Sequence, residues 1–118
     1  MDSKIEKYVE LTVLHGNLIE EGNKKANKIH SEIEKELVFL RVTKNETKTE
    51  FYKLLDHENP SVKLWTATEL LSTNELRSMQ ILESLTKEKN IIGLTSKTII
   101  EMWRKGMMIK INWEDNLK

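Results

Sequence analysis

The stretch Asp56-His57-Glu58-Asn59-Pro60-Ser61-Val62-Lys63-Leu64-Trp65-Thr66-Ala67-Thr68-Glu69-Leu70-Leu71 constrains the fold more than any other part of the chain. Asn59 is placed to accept hydrogen bonds from the free backbone N–H groups of a first helical turn. Pro60, at the first helical position, gives up an N–H that would have no partner there. A helix therefore starts at Pro60. Its apolar residues lie on more than one side, which predicts a helix held between neighbours rather than one resting on a surface. A chain built round such a helix is a stack of helices, and that architecture presents surfaces without naming a chemistry.

Local signals place the other elements. Ser3 followed by Glu6 has the form of a capping box and predicts a first helix from that point. Ile5, Tyr8, Val9, Thr12, Gly16 and Ile19 follow one face of it, and Leu11, Leu14 and Leu18 form a second stripe, so this helix needs two neighbours. After Gly22-Asn23, a second helix carries Ala26, Ile29, Ile33, Leu37 and Leu40 on one face, with Lys24, Lys28, Ser31 and Lys35 opposite. Thr43, Asn45 and Thr47 favour turns, so Val42 to Thr47 reads as a loop before a short third helix over about Lys48 to Leu55. The Pro60 helix is expected to end near Ser72. Ser72-Thr73-Asn74 caps a fifth helix reaching about Lys87 on Leu76, Met79, Leu82 and Leu85. Asn90 to Thr95 is ambiguous, and a sixth helix runs from Ser96 through Ile99, Ile100 and Trp103 until Gly106 ends it in a left-handed conformation. Ile109, Ile111 and Trp113 alternate, the period of an extended segment. The expected fold is all-α with about six helices, divided into a helical domain over residues 1–106 and an extended tail over 107–118. Packing the tail back onto the domain satisfies its backbone; pairing with a partner or a second copy is the alternative.

Length and charge narrow the function classes. A chain of 118 residues is one domain, and its nineteen basic side chains balance nineteen acidic ones. Such a chain creates no overall field that draws in nucleic acid or an anionic membrane. Without cysteine there are no disulfides and no thiolate chemistry, as in a reducing compartment. Asp2, Lys4, Glu6, Lys7 and Glu10 interrupt the N-terminal apolar residues, so no signal-peptide core is present, and no run approaches the roughly 20 apolar residues that span a bilayer. A cytoplasmic location is expected.

Candidate chemistry is sparse. No two of His15, His30 and His57 have the spacing that puts two metal ligands on one helix face, so no metal site is expected. His30 reads as a hydrogen-bonded structural histidine and His57 as a residue that orders its turn. Glu20, Glu21, Glu32, Glu34 and Glu36 lie among lysines as solvated faces do. With no phosphate loop, nucleophile elbow or serine-lysine pair, neither a catalytic residue nor a cofactor is nominated and an enzyme is not expected. Trp65 and Trp103 fall on apolar stripes and are expected to pack between helices with their indole N–H groups bonded. Trp113, in a short polar-flanked tail, is a candidate contact anchor. Two polar arcs, Lys24, Lys28 and Lys35 on the second helix and Lys97, Glu101, Arg104 and Lys105 on the sixth, are candidate parts of one curved surface, with Lys97 and Glu101 spaced as a weak pair.

Leu54-Leu55-Asp56-His57-Glu58-Asn59-Pro60-Ser61-Val62-Lys63-Leu64-Trp65, with Ile92-Gly93-Leu94 and the close Trp103-Arg104-Lys105-Gly106, resembles the small bacterial family filed as domain of unknown function 2019. The resemblance covers nearly the whole chain and is weakest from Arg41 to Thr49. It implies a short HEAT-like α-α superhelix of stacked hairpins with a curved face, and brings no agreed activity. Where HEAT-like proteins often carry arginine, this chain has Lys63, which lacks the planar two-point fork. The expectation is a non-enzymatic protein-binding module whose partner contacts are Lys24, Lys28, Lys35, Lys97, Arg104 and Trp113. By analogy with small HEAT-like bacterial proteins, the favoured form is an immunity protein that neutralises a toxin. The alternative is a nucleic-acid-associated HEAT-like protein whose basic arcs contact phosphates.

Overall fold

The computed structural model describes residues 2–111 and 113. Its elements are α1 (Ser3–Glu20), α2 (Ala26–Arg41), α3 (Asn45–Lys53), a single 3-10 turn (Leu54–Asp56), α4 (Pro60–Glu69), α5 (Glu75–Leu85) and α6 (Ile91–Arg104). Among the described residues there are no strands. The turn before α4 forms as its residues dictate: Asn59 Oδ1 accepts from the Ser61 and Val62 amides at 2.9 and 3.3 Å, and His57 Nδ1 accepts from the Asn59 amide at 3.0 Å. Gly106, at φ +69°, follows the last helix in the left-handed conformation.

Four element boundaries differ from the sequence reading. The cap of α1 is Asp2, whose carboxylate accepts the Lys4 amide at 2.8 Å, so Ser3 is the first helical residue rather than the cap. The segment read as a loop to Thr47 is helical from Asn45. There Thr47 is buried and its hydroxyl donates to the Asp2 carboxylate at 3.2 Å, a tertiary partner that overrides its turn preference. α4 ends at Glu69, short of Ser72. α6 starts at Ile91, not Ser96, because Asn90 Oδ1 caps it through the Ile92 amide at 3.0 Å.

Packing follows antiparallel registers. Along α1 and α2, Lys4 lies over the Phe39 ring, Lys7 faces Glu36 and His15 meets His30, so one helix descends as the other rises. α4 runs antiparallel to α1 on another side: the Tyr8 hydroxyl shares a 3.0 Å hydrogen bond with Thr66 Oγ1, and Gly16 abuts Ser61. α5 and α6 form the last hairpin, in which the Trp103 indole donates to Glu75 at 3.2 Å. The core, including Ile5, Tyr8, Ile33, Leu37, Leu40, Phe51, Val62, Leu70 and Leu82, lies where these pairs meet. Burial pushes the Tyr8 phenol pKa well above its ordinary range, with the Thr66 bond opposing and the nearby Glu69 charge adding to the rise.

The tail closes this stack. Ile111 donates its amide to Ser72 Oγ at 2.9 Å, and the Trp113 amide reaches Thr73 Oγ1 at 3.2 Å. The Trp113 ring, 0% exposed, stacks on Phe51 at 4.4 Å and 13°. Its indole N–H donates to Glu69 Oε2 at 2.8 Å, and Glu69, itself 5% exposed, takes both Nε and Nη2 of Arg41 at 2.5 and 2.9 Å. Buried Lys48 donates to the Trp113 carbonyl at 3.3 Å. Burial along the tail does not follow its alternation: Ile109 is 85% exposed although it shares a phase with the sealed Trp113. The rest of the expected tail, residues 112 and 114–118, lies outside the described residues.

Two stability changes follow. Replacing Trp113 by Ala empties a sealed ring site and is expected to cost about 3–5 kcal/mol in denaturant unfolding; a cost under about 1 kcal/mol would mean that the tail does not dock. A Cβ at Gly16 would lie 1.8 Å from Ser61 Oγ and 2.9 Å from its Cβ. Gly16→Ala therefore loses about 1–3 kcal/mol to overpacking, more than the roughly 1 kcal/mol that alanine gains in helix propensity. Ser61→Gly in the same chain restores part of that loss.

Candidate functional site

A half-open cavity of about 310 Å³ lies between α1, α2, α4 and α6. α1 gives it His15, Gly16 and Ile19, and α2 gives His30 and Glu34 from successive turns. α4 supplies Ser61, Leu64, Trp65 and Thr68, again one turn apart, and α6 closes the far wall with Ile91, Ile92, Thr95 and Ile99. At one end of the cavity Gly16 lets α1 and α4 come close, since a Cβ there would meet Ser61. Apolar walls with a few convergent polar groups are the usual makeup of a binding site, and this volume is at the lower end of the roughly 300–1,000 Å³ range of such sites.

Three rings from three helices meet in it. His15 approaches Trp65 edge-on at 5.3 Å and 85°, His30 lies 5.1 Å from Trp65, and the two imidazoles are 5.9 Å apart. His15 is 8% exposed, and burial first, then the neighbouring His30, lowers its pKa below the usual imidazole value. Its neutral form is thus the one the folded chain favours. Trp65 is only partly buried, so it forms a wall of the cavity rather than the closed packing that its stripe predicted. Trp103 is also partly buried, and its N–H has the expected kind of partner in Glu75.

The residues singled out in the sequence are distributed elsewhere. Lys28 and Lys35 are exposed on α2, and Lys24, expected on the same helix, is exposed in the turn before it. Lys97 and Arg104 line an open groove between α5 and α6 in which Glu83 and Glu101 alternate with the cations. Glu101 pairs there with Lys105 at 2.7 Å instead of with Lys97, and this ammonium holds its carboxyl below the usual range. Trp113 is buried within its own chain, which removes the exposure that a contact anchor needs. Val38, Phe39 and Val42 make a smaller exposed apolar patch at the end of α2, where the Lys4 ammonium sits 4.4 Å from the Phe39 ring. Sequence spacing did not single out His15 with His30 and Trp65, yet one signal was present: both histidines stand seven residues from the Gly22-Asn23 turn.

Among the described residues, no three His, Cys, Asp or Glu side chains are placed to hold a metal ion, and no helix is long and apolar enough to cross a membrane. No protein-family model, curated protein or solved structure matches the chain.

The lowered His15 pKa has a testable consequence. Between the folded and unfolded values the unfolded chain binds more protons, so stability rises with pH. Stability is expected to be full above the unfolded value of about 6.5 and to fall as the pH drops below it. His15→Leu should flatten this slope in unfolding curves taken from about pH 5 to 7.5; an unchanged slope would place its origin elsewhere.

Proposed function

We propose that this chain is a non-enzymatic protein-binding module in which the His15–His30–Trp65 cavity seats a side chain of a partner protein. The observation that carries the reading is a partly exposed tryptophan set in the wall of a preformed apolar cavity. Interfaces concentrate their binding energy in such rigid aromatic sites, which exclude water around one inserted anchor. Helical walls support this use because they hold the rings in place before binding, which limits the ordering cost. The resemblance of the sequence to small HEAT-like bacterial proteins favours a toxin as the partner and an immunity role for the chain. Nucleic-acid contact is the weaker reading, since the cations of the α5–α6 groove alternate with Glu83 and Glu101.

The test is capture from a lysate of the native host at moderate salt, with wild-type chain and a Thr95→Arg variant side by side. Thr95 is partly exposed on the α6 wall, so arginine there blocks the cavity without emptying the core. The expected result is one stoichiometric protein held by the wild type and about ten-fold or more weaker on the variant, whose melting temperature stays within a few degrees. Equal retention on both chains, or no stoichiometric protein, contradicts the proposal.

A further inference from the structure

We infer that the anchor entering the His15–His30–Trp65 cavity is a cationic side chain, lysine or arginine, with its carbon stem on Trp65 and Leu64 and its head at Glu34. The inference rests on the binding-module reading and names the chemistry of its partner. Charge is the first argument. Among the described residues that line the cavity, Glu34 is the only carboxylate and the remaining titratable groups are His15 and His30, while the Arg41 guanidinium, farther along α2, also feels the Glu34 charge. An acidic anchor meets that carboxylate with like charge, and an aliphatic anchor gains nothing from it.

The C-terminus of α1 at Glu20 and the N-terminus of α6 at Ile91 carry opposite partial charges and meet beside the cavity. Asn90 ties them together, capping α6 with its Oδ1 while its Nδ2 donates to Glu20 at 2.8 Å. Shape is the second argument. A long methylene stem suits apolar walls while its charge stays at the rim, and Glu34 is exposed at such a rim. An indole ring also favours a cation near its face, a guanidinium more than an ammonium. A proton on His15 would put like charge beside the anchor, so binding should weaken in acid.

The test uses the isotope-labelled full chain and small probes followed by NMR: n-butylguanidinium and n-butylammonium as cations, pentanamide as the neutral probe and pentanoate as the anion. At about pH 7.5 the cations should shift the Trp65 indole and Ile99 methyl signals and bind about three- to five-fold more tightly than pentanamide, with pentanoate weakest. Glu34→Gln should bring the cations down to the level of the amide, and lowering the pH to about 5.5 should weaken them again. The inference is overturned if pentanoate or pentanamide binds as well as the cations, if Glu34→Gln changes nothing, or if no cation binds. If it falls while Thr95→Arg still releases the captured partner, the binding-module reading stands alone; if Thr95→Arg also fails, both fall.

Discussion

A carboxylate buried at the end of α4 organises this molecule. Glu69 is removed from water, where an unpaired charge would cost several kcal/mol, so the fold has to bring donors to it. They come from two distant places: the Arg41 guanidinium at the end of α2 and the Trp113 indole in the tail. Meeting both demands fixes where α2 stops, where α4 stops and how the chain returns after α6. Removing either donor leaves a buried carboxylate short of a partner. The stacked Phe51 ring and the Lys48 ammonium on the Trp113 carbonyl then hold α3 in the same assembly.

The closed end supports an open one. Polar closure lies where α2 and α4 finish, while the cavity lies toward the start of α2 and of α6 and the end of α1. α2 and α4 reach both places, so helices anchored by the Glu69 cluster present His30, Glu34, Leu64 and Trp65 to solvent on a fixed frame. The cavity itself is made mostly of apolar side chains and neutral rings, with a single carboxylate at its rim. The polar cluster that fixes the geometry is thus separate from the apolar cavity in which the proposed partner side chain would sit.

What the sequence revealed depended on how local the cause was. The start of α4 was legible because Asn59 and Pro60 act on their own first turn, and Gly106 was legible for the same reason. The start of α3 was not, because Thr47 is held by Asp2 from the other end of the front hairpin. The first turn of α6 was missed because buried Ile92 is followed there by Gly93, a weak helix former that is buried as well. The tail was read as extended, yet nothing in its alternation pointed to Glu69 as the group waiting for Trp113. The three-ring cavity needed the register of α1 on α2 and of α4 on α1, which spacing along one helix does not contain.

Hydrogen exchange at the three tryptophan indole N–H groups tests the Glu69 closure most directly. The account predicts that the Trp113 signal exchanges slowly, near the rate of global unfolding, while the Trp103 signal, bonded at an exposed site, exchanges fast. Glu69→Ala should bring Trp113 to the fast class. A Trp113 indole that exchanges as freely as Trp103 in the unaltered chain would contradict the closure and the fixed frame that depends on it.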